Sequence, residues 1–162
     1  MAKYCTQWEA LKDRLNGKVR IHTLAVIYCL NHYSRRFQKL SERQKNILLW
    51  AALFHDITKR GPPIFEGKDH VHPFQSAGAF LRILADNFLP HASVEEKRHL
   101  AAMAEVCENA FERFEVEIEL DYEVCNQLHD HSVLPRIFEM LQSSCLGLHS
   151  DLAIVFKLVL LH

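Results

Sequence analysis

At 162 residues the chain is one domain's worth of sequence, long enough to bury a substantial core. Hydrophobic residues at 49% and charged residues at 24% exclude disorder and a collagen-like or coiled-coil composition. A formal net charge of -1 argues against non-specific nucleic-acid binding, so no nucleic-acid partner is expected, and it leaves room for a local basic pocket.

Residues 5 to 15 read as a short amphipathic helix with Trp8, Leu11 and Leu15 on one side, stopped at Asn16-Gly17. A second helix, roughly 18 to 37, carries Ile21, Leu24, Ala25, Tyr28 and Cys29 along one stripe, and His22 lies beside that stripe, able to face the interior. Ser41-Glu42-Arg43-Gln44 has the polar N-cap and third-position Gln of a capping box, opening a helix whose apolar run, Ile47 to Phe54, ends at His55. Gly61-Pro62-Pro63 cannot continue it, so residues 58 to 69 form a loop with Lys59, Arg60, Glu66, Lys68 and Asp69.

A helix from about 73 to 88 follows, with Ser76, Ala77, Gly78 and Ala79 small enough to let a neighbour approach, and Leu89-Pro90 ends it. Ser93-Val94-Glu95-Glu96 caps the next, through Leu100, Met103, Ala104 and Cys107 toward Phe114, with Glu105, Glu108, Glu112 and Glu115 as a solvated acidic face. Residues 114 to 120 alternate apolar and acidic and fit either strand or helix. Helices are predicted at 121 to 129 and 134 to 146, Gly147 closing the second, and a nearly all-apolar helix runs from Asp151 to His162. About seven helices with little strand signal make an all-α domain, 1–162, whose end inside the last helix reads as a truncation or as a domain cut from a longer protein.

Five cysteines, Cys5, Cys29, Cys107, Cys125 and Cys145, are odd in number and lack a CxxC pair, so reduced thiols and a cytoplasmic location are expected. The N-terminus has no apolar secretory core, and the run Leu152 to Leu161 is interrupted by Lys157 and too short to span a bilayer. No membrane segment is expected.

The chemistry centres on Leu53-Phe54-His55-Asp56-Ile57-Thr58-Lys59. A histidine and an aspartate at the end of an apolar run need something to compensate their polarity, and a divalent ion of the Mn, Fe, Co, Ni or Zn type suits imidazole with carboxylate. The adjacent lysine suits an anionic substrate. Taken singly, each residue also has a structural reading: His22 as a core histidine bonded to a backbone carbonyl, Asp56 as a helix-end feature, Lys59 as a solvated charge at a helix C-terminus. His129-Asp130-His131 repeats the dipeptide without supporting spacing and reads as surface.

Context decides between these. His22 stands in Val19-Arg20-Ile21-His22-Thr23-Leu24-Ala25-Val26, 33 positions before His55, and His72 stands in His72-Pro73-Phe74-Gln75-Ser76-Ala77. This ordered set resembles the HD superfamily of metal-dependent phosphohydrolases, firmly over about residues 18 to 85 and loosely beyond. The resemblance implies an all-α helical bundle and one divalent metal, Mg also being possible, held by His22, His55, Asp56 and a later aspartate. The residue at that last place is His162, with Asp151 and Asp130 as other candidates and a missing ligand as the remaining one. His72 matches a position that in many members binds a second metal or contacts phosphate, and Lys59 matches the lysine of the pattern, although Thr58 stands where glycine is common. Ala102 to Asn109, where many members carry histidines, has none.

The chemistry implied is hydrolysis of a nucleotide or other small phosphate ester. Asp56 would orient or deprotonate water, while Lys59, with Arg60, Lys68 and His72, would face the phosphate. The alternative is a degenerate HD domain serving as a ligand-binding or regulatory module without turnover.

Overall fold

A computed structural model describes residues 18–60, 69, 71–110 and 133–162. The expectations for residues 5–15, for most of the 58–69 loop including Lys68, and for 111–132 including Asp130 lie outside the described residues. Seven α-helices and no strand are present among them: α1 Lys18–Tyr33, α2 Arg35–Gln38, α3 Glu42–Phe54, α4 His72–Ile83, α5 Val94–Glu108, α6 Leu134–Ser143 and α7 Asp151–Leu160.

The predicted caps set the helix starts. Ser41 Oγ accepts from Gln44 N at 3.3 Å while Gln44 Oε1 accepts from Ser41 N at 3.0 Å, and Ser93 with Glu96 makes the same reciprocal box at the start of α5. The helix predicted at 18 to 37 is instead broken. Ser34 leaves the helical conformation and caps α2, accepting from Phe37 N at 3.1 Å, which turns Phe37 into the interior. α4 keeps the predicted reach to residue 88 by widening into a π-turn, Leu84–Phe88, closed by Leu89 N to Leu84 O at 3.0 Å. α5 stops at Glu108, short of Phe114, and α6 at Ser143, so Gly147, with φ +61°, closes the following turn rather than the helix itself.

The predicted apolar stripe of α1 faces the wrong way. Ile21, Leu24, Ala25, Tyr28 and Cys29 are exposed, whereas Val19 and Thr23 are buried and Val26, Ile27 and Leu30 half-buried against α3. α1 is apolar on two opposite faces, so periodicity alone does not choose between them, and packing takes the face on which Thr23 satisfies its hydroxyl on Val19 O at 3.0 Å. His22 sits on the shoulder of that buried face.

α4 is the central element: it packs along α5 and against α7, α7 also lies on α3, and α6 lies on α5. Phe54, Phe80 and Phe156 are fully buried, and the Trp50, Phe54, Phe80 and Phe88 rings pack in edge and stacked contacts at 5.1 to 5.8 Å. The small face of α4 lets α5 close in. A Cβ at Gly78 would lie 2.9 Å from Ala104 O and 2.7 Å from Glu108 Cγ. Glu108 is not simply solvated as the acidic stripe suggested, since it binds Arg82 through both oxygens, Nε at 2.8 Å and Nη2 at 2.5 Å. No helix among the described residues is long and apolar enough to cross a membrane.

Candidate metal centre

Phe54, packed on Phe80, fixes the last turn of α3, and the chain stays coiled beyond it. His55 N donates to Ala51 O at 2.9 Å, Ile57 N to Phe54 O at 3.2 Å and Lys59 N to Asp56 O at 3.1 Å, with Ile57 buried beneath. This coiling brings His55, Asp56 and Lys59 together against α1 and α4.

Asp56 is the hub. Its side chain is 1% exposed, with Oδ2 3.1 Å from Lys59 Nζ, 3.5 Å from His55 Nε2 and 3.7 Å from His22 Nε2, while Oδ1 lies 3.1 Å from His72 Nε2. Burial alone would raise the pKa of this carboxyl, but His72, His55 and Lys59 outweigh it and hold the group well below the usual carboxylate range. Asp56 is therefore ionised.

The tautomers follow from the other ring nitrogens. His55 Nδ1 lies 2.7 Å from Ala52 O, and His72 Nδ1 is in contact with Asp69 O. A carbonyl only accepts, so each Nδ1 carries a proton, and each ring turns its Nε2 toward Asp56. Burial pushes the His55 pKa down, with His22 and Lys59 acting in the same direction against Asp56 and the Ala52 bond, which keeps the ring neutral. Asp56 Oδ1 and His72 Nε2 are both buried and without a hydrogen-bond partner. A buried carboxylate oxygen and a ring nitrogen 3.1 Å apart call for a proton or a cation between them. The donor set, imidazole with one carboxylate, fits a borderline divalent ion.

His162, beyond the end of α7, joins this group. Its ring centroid is 4.8 Å from that of His55 and 5.4 Å from that of His72, and burial, with His55 and His72, lowers its pKa. Two sets of atoms with ligand spacing result, His22 with His55 and Asp56, and Asp56 with His72 and His162, each within 4.8 Å. Asp56 belongs to both, with Oδ2 toward His22 and His55 and Oδ1 toward His72. His72, expected beside the substrate, thus also stands among the possible ligands.

Other candidates lie elsewhere. Arg60 is engaged with the buried Asp69 carboxylate, through its backbone N at 2.7 Å, Nε at 3.3 Å and Nη2 at 3.4 Å, an ion pair that ties the two ends of the 61–68 segment together. Asp151 pairs with Arg43 at 2.7 Å, at the opposite end of α7 from His162 and about 16 Å away by helical rise. Thr58 and Ser76, which sequence reading gave no role, bond across the site's own backbone, and Asp69, read as part of the loop entering the helix, meets the His72 ring through its carbonyl. Thr58 was visible as a departure from glycine, and Ser76 only as a small residue.

A family model described as the HD domain matches residues 19–136. No match was found among curated proteins or among solved structures.

Proposed function

The chain belongs to the HD domain family, and on that premise we propose that it is a metal-dependent phosphohydrolase of a nucleotide or another small phosphate ester. We read residues 1–162 as a single domain working in the cytoplasm, a location with which the free thiols of Cys29, Cys107 and Cys145 agree. The observation that carries the proposal is the buried pair Asp56 Oδ1 and His72 Nε2, 3.1 Å apart and neither with a hydrogen-bond partner, within ligand spacing of further histidines.

In this reading His22, His55, Asp56 and His162 would hold one divalent ion, with His72 beside them. When bound, the ion supplies Lewis acidity toward a phosphoryl oxygen and toward water. Asp56 is held too acidic to be a strong base at neutral pH, so its part is to ligate and to orient the attacking water by accepting its hydrogen bond. Lys59 is 38% exposed, reaching Asp56 from the solvent side, and it offsets the charge that builds on the non-bridging oxygens. Substrate reaches the site on the side of His22, whose side chain is 55% exposed.

A second reading, a ligand-binding or regulatory module without turnover, is favoured by the absence of histidine from Ala102 to Asn109. Elemental analysis of the protein and of His55→Ala, followed by a phosphate-ester screen, separates the two. Near-stoichiometric metal, lost in the variant, together with hydrolysis supports the enzyme. Metal without hydrolysis of any ester supports the module, and no metal after reconstitution removes the ligand assignments.

A further inference from the structure

We propose that Thr58 and Ser76 are positioning residues, a hydroxyl clamp that holds Asp56 and His72 at ligand spacing. The inference rests on the metal-site reading above and adds to it how the chain keeps the site assembled.

Asp56 lies on the turn after α3 and His72 opens α4. Asp56 Oδ1 and His72 Nε2 face each other 3.1 Å apart across these two elements, so whatever links the elements sets that spacing. Three contacts cross at this point: Thr58 N to Ser76 Oγ at 3.3 Å, Thr58 Oγ1 to Ser76 Oγ at 2.9 Å and Thr58 Oγ1 to His72 O at 3.2 Å. Their protons have one consistent arrangement. His72 O can only accept, so Thr58 donates its hydroxyl proton there. Thr58 Oγ1 then accepts from Ser76, and Ser76 Oγ accepts the Thr58 amide.

Every hydroxyl proton is thereby used, and Ser76 is wholly buried, where water does not compete. The bond ends on the backbone carbonyl of His72 itself, two residues along the chain from Asp56 on the other side. Asp69 O fixes the His72 ring through Nδ1, and the clamp fixes its backbone. A glycine at position 58 would offer the amide alone and leave the His72 carbonyl untied.

The test compares Thr58→Val, which keeps the branched shape without the hydroxyl, with Thr58→Ser, Ser76→Ala and His72→Ala. Zn and Mn affinities are measured by competition with a chelator at a temperature where circular dichroism shows each variant folded. Thr58→Val and Ser76→Ala should weaken binding by about 10- to 100-fold, as loss of an outer-shell partner does. Thr58→Ser should restore it, and in a His72→Ala background Thr58→Val should have no further effect. Unchanged affinity in both Thr58→Val and Ser76→Ala overturns the clamp while leaving the metal site standing, as does an equal further loss in the His72→Ala background. If Thr58→Val does not fold, Ser76→Ala carries the same comparison. Absence of binding by the unaltered protein instead removes the metal-site reading and the clamp with it.

Discussion

At the scale of single residues, the site's behaviour turns on which atoms carry protons. With His55 as a proposed ligand, a metal ion and a proton would compete for its Nε2, so protonation of that ring would weaken binding. Burial holds its pKa below the ordinary 6.5, and His162 is shifted the same way. The contribution of these two rings to metal affinity is therefore expected to be complete at about pH 7 and above and to be lost as the pH drops below the normal imidazole range. Chelator competition across a pH series checks this, and a loss of affinity already between neutral and mildly alkaline pH would contradict a neutral His55. Lys59 makes a different prediction. Lys59→Met should lower kcat/KM for a phosphate ester by about 100-fold with metal content unchanged, since the ammonium offsets transition-state charge without ligating; metal loss in this variant would assign it a structural part instead. His55, Asp56 and Lys59 were legible in the sequence because their meaning is local, a polar pair and a lysine at the end of an apolar run. Thr58, Asp69 and Ser76 were not, because their value lies in bonds between α4 and the turn after α3, and single-residue chemistry does not reveal such distances.

At the scale of elements, local chemistry fixed where helices start better than which way they face. Ser41 with Gln44 and Ser93 with Glu96 are complete within four residues, and both boxes form as read. The orientation of α1 is a tertiary choice between two apolar faces, and the break at Ser34 depends on Phe37 finding the core. The close contact of α4 with α5 lies between these cases, since the run Ser76 to Ala79 signals a close neighbour without naming it. Gly78→Ala tests that contact with a worked sign. The added methyl gains up to about 1 kcal/mol of helix propensity, but it must sit 2.9 Å from Ala104 O, a backbone atom that cannot turn aside, and overpacking of this kind costs about 1–3 kcal/mol. With the full gain realised, a net loss of up to about 2 kcal/mol is expected, lowering Tm by up to roughly 8 °C. A higher Tm for the variant would show that α4 and α5 have room to separate.

At the scale of the whole molecule, the candidate centre joins elements that otherwise meet unequally. α4 and α7 are held by the shared core, whereas α1 packs mainly on α3 and leaves Ile21, Leu24 and Tyr28 in solvent. His22 is the residue through which α1 would be tied to the rest. An ion bound at 100 times its Kd stabilises the folded state by about 2.7 kcal/mol, which for a chain of this size raises Tm by roughly 5–10 °C, reversibly on chelation. Hydrogen exchange shows where that stabilisation falls, because weakly packed elements open locally before the core does. With Zn or Mn present, the amides of α1 should gain more protection than those of α4 or α5, and His22→Ala should abolish the gain in α1 while leaving some metal on Asp56, His72 and His162. If α1 exchanges at the same rate with and without metal while the turn at His55 and the start of α4 become protected, His22 is not a ligand, and the ion belongs to the Asp56–His72–His162 side of the carboxylate.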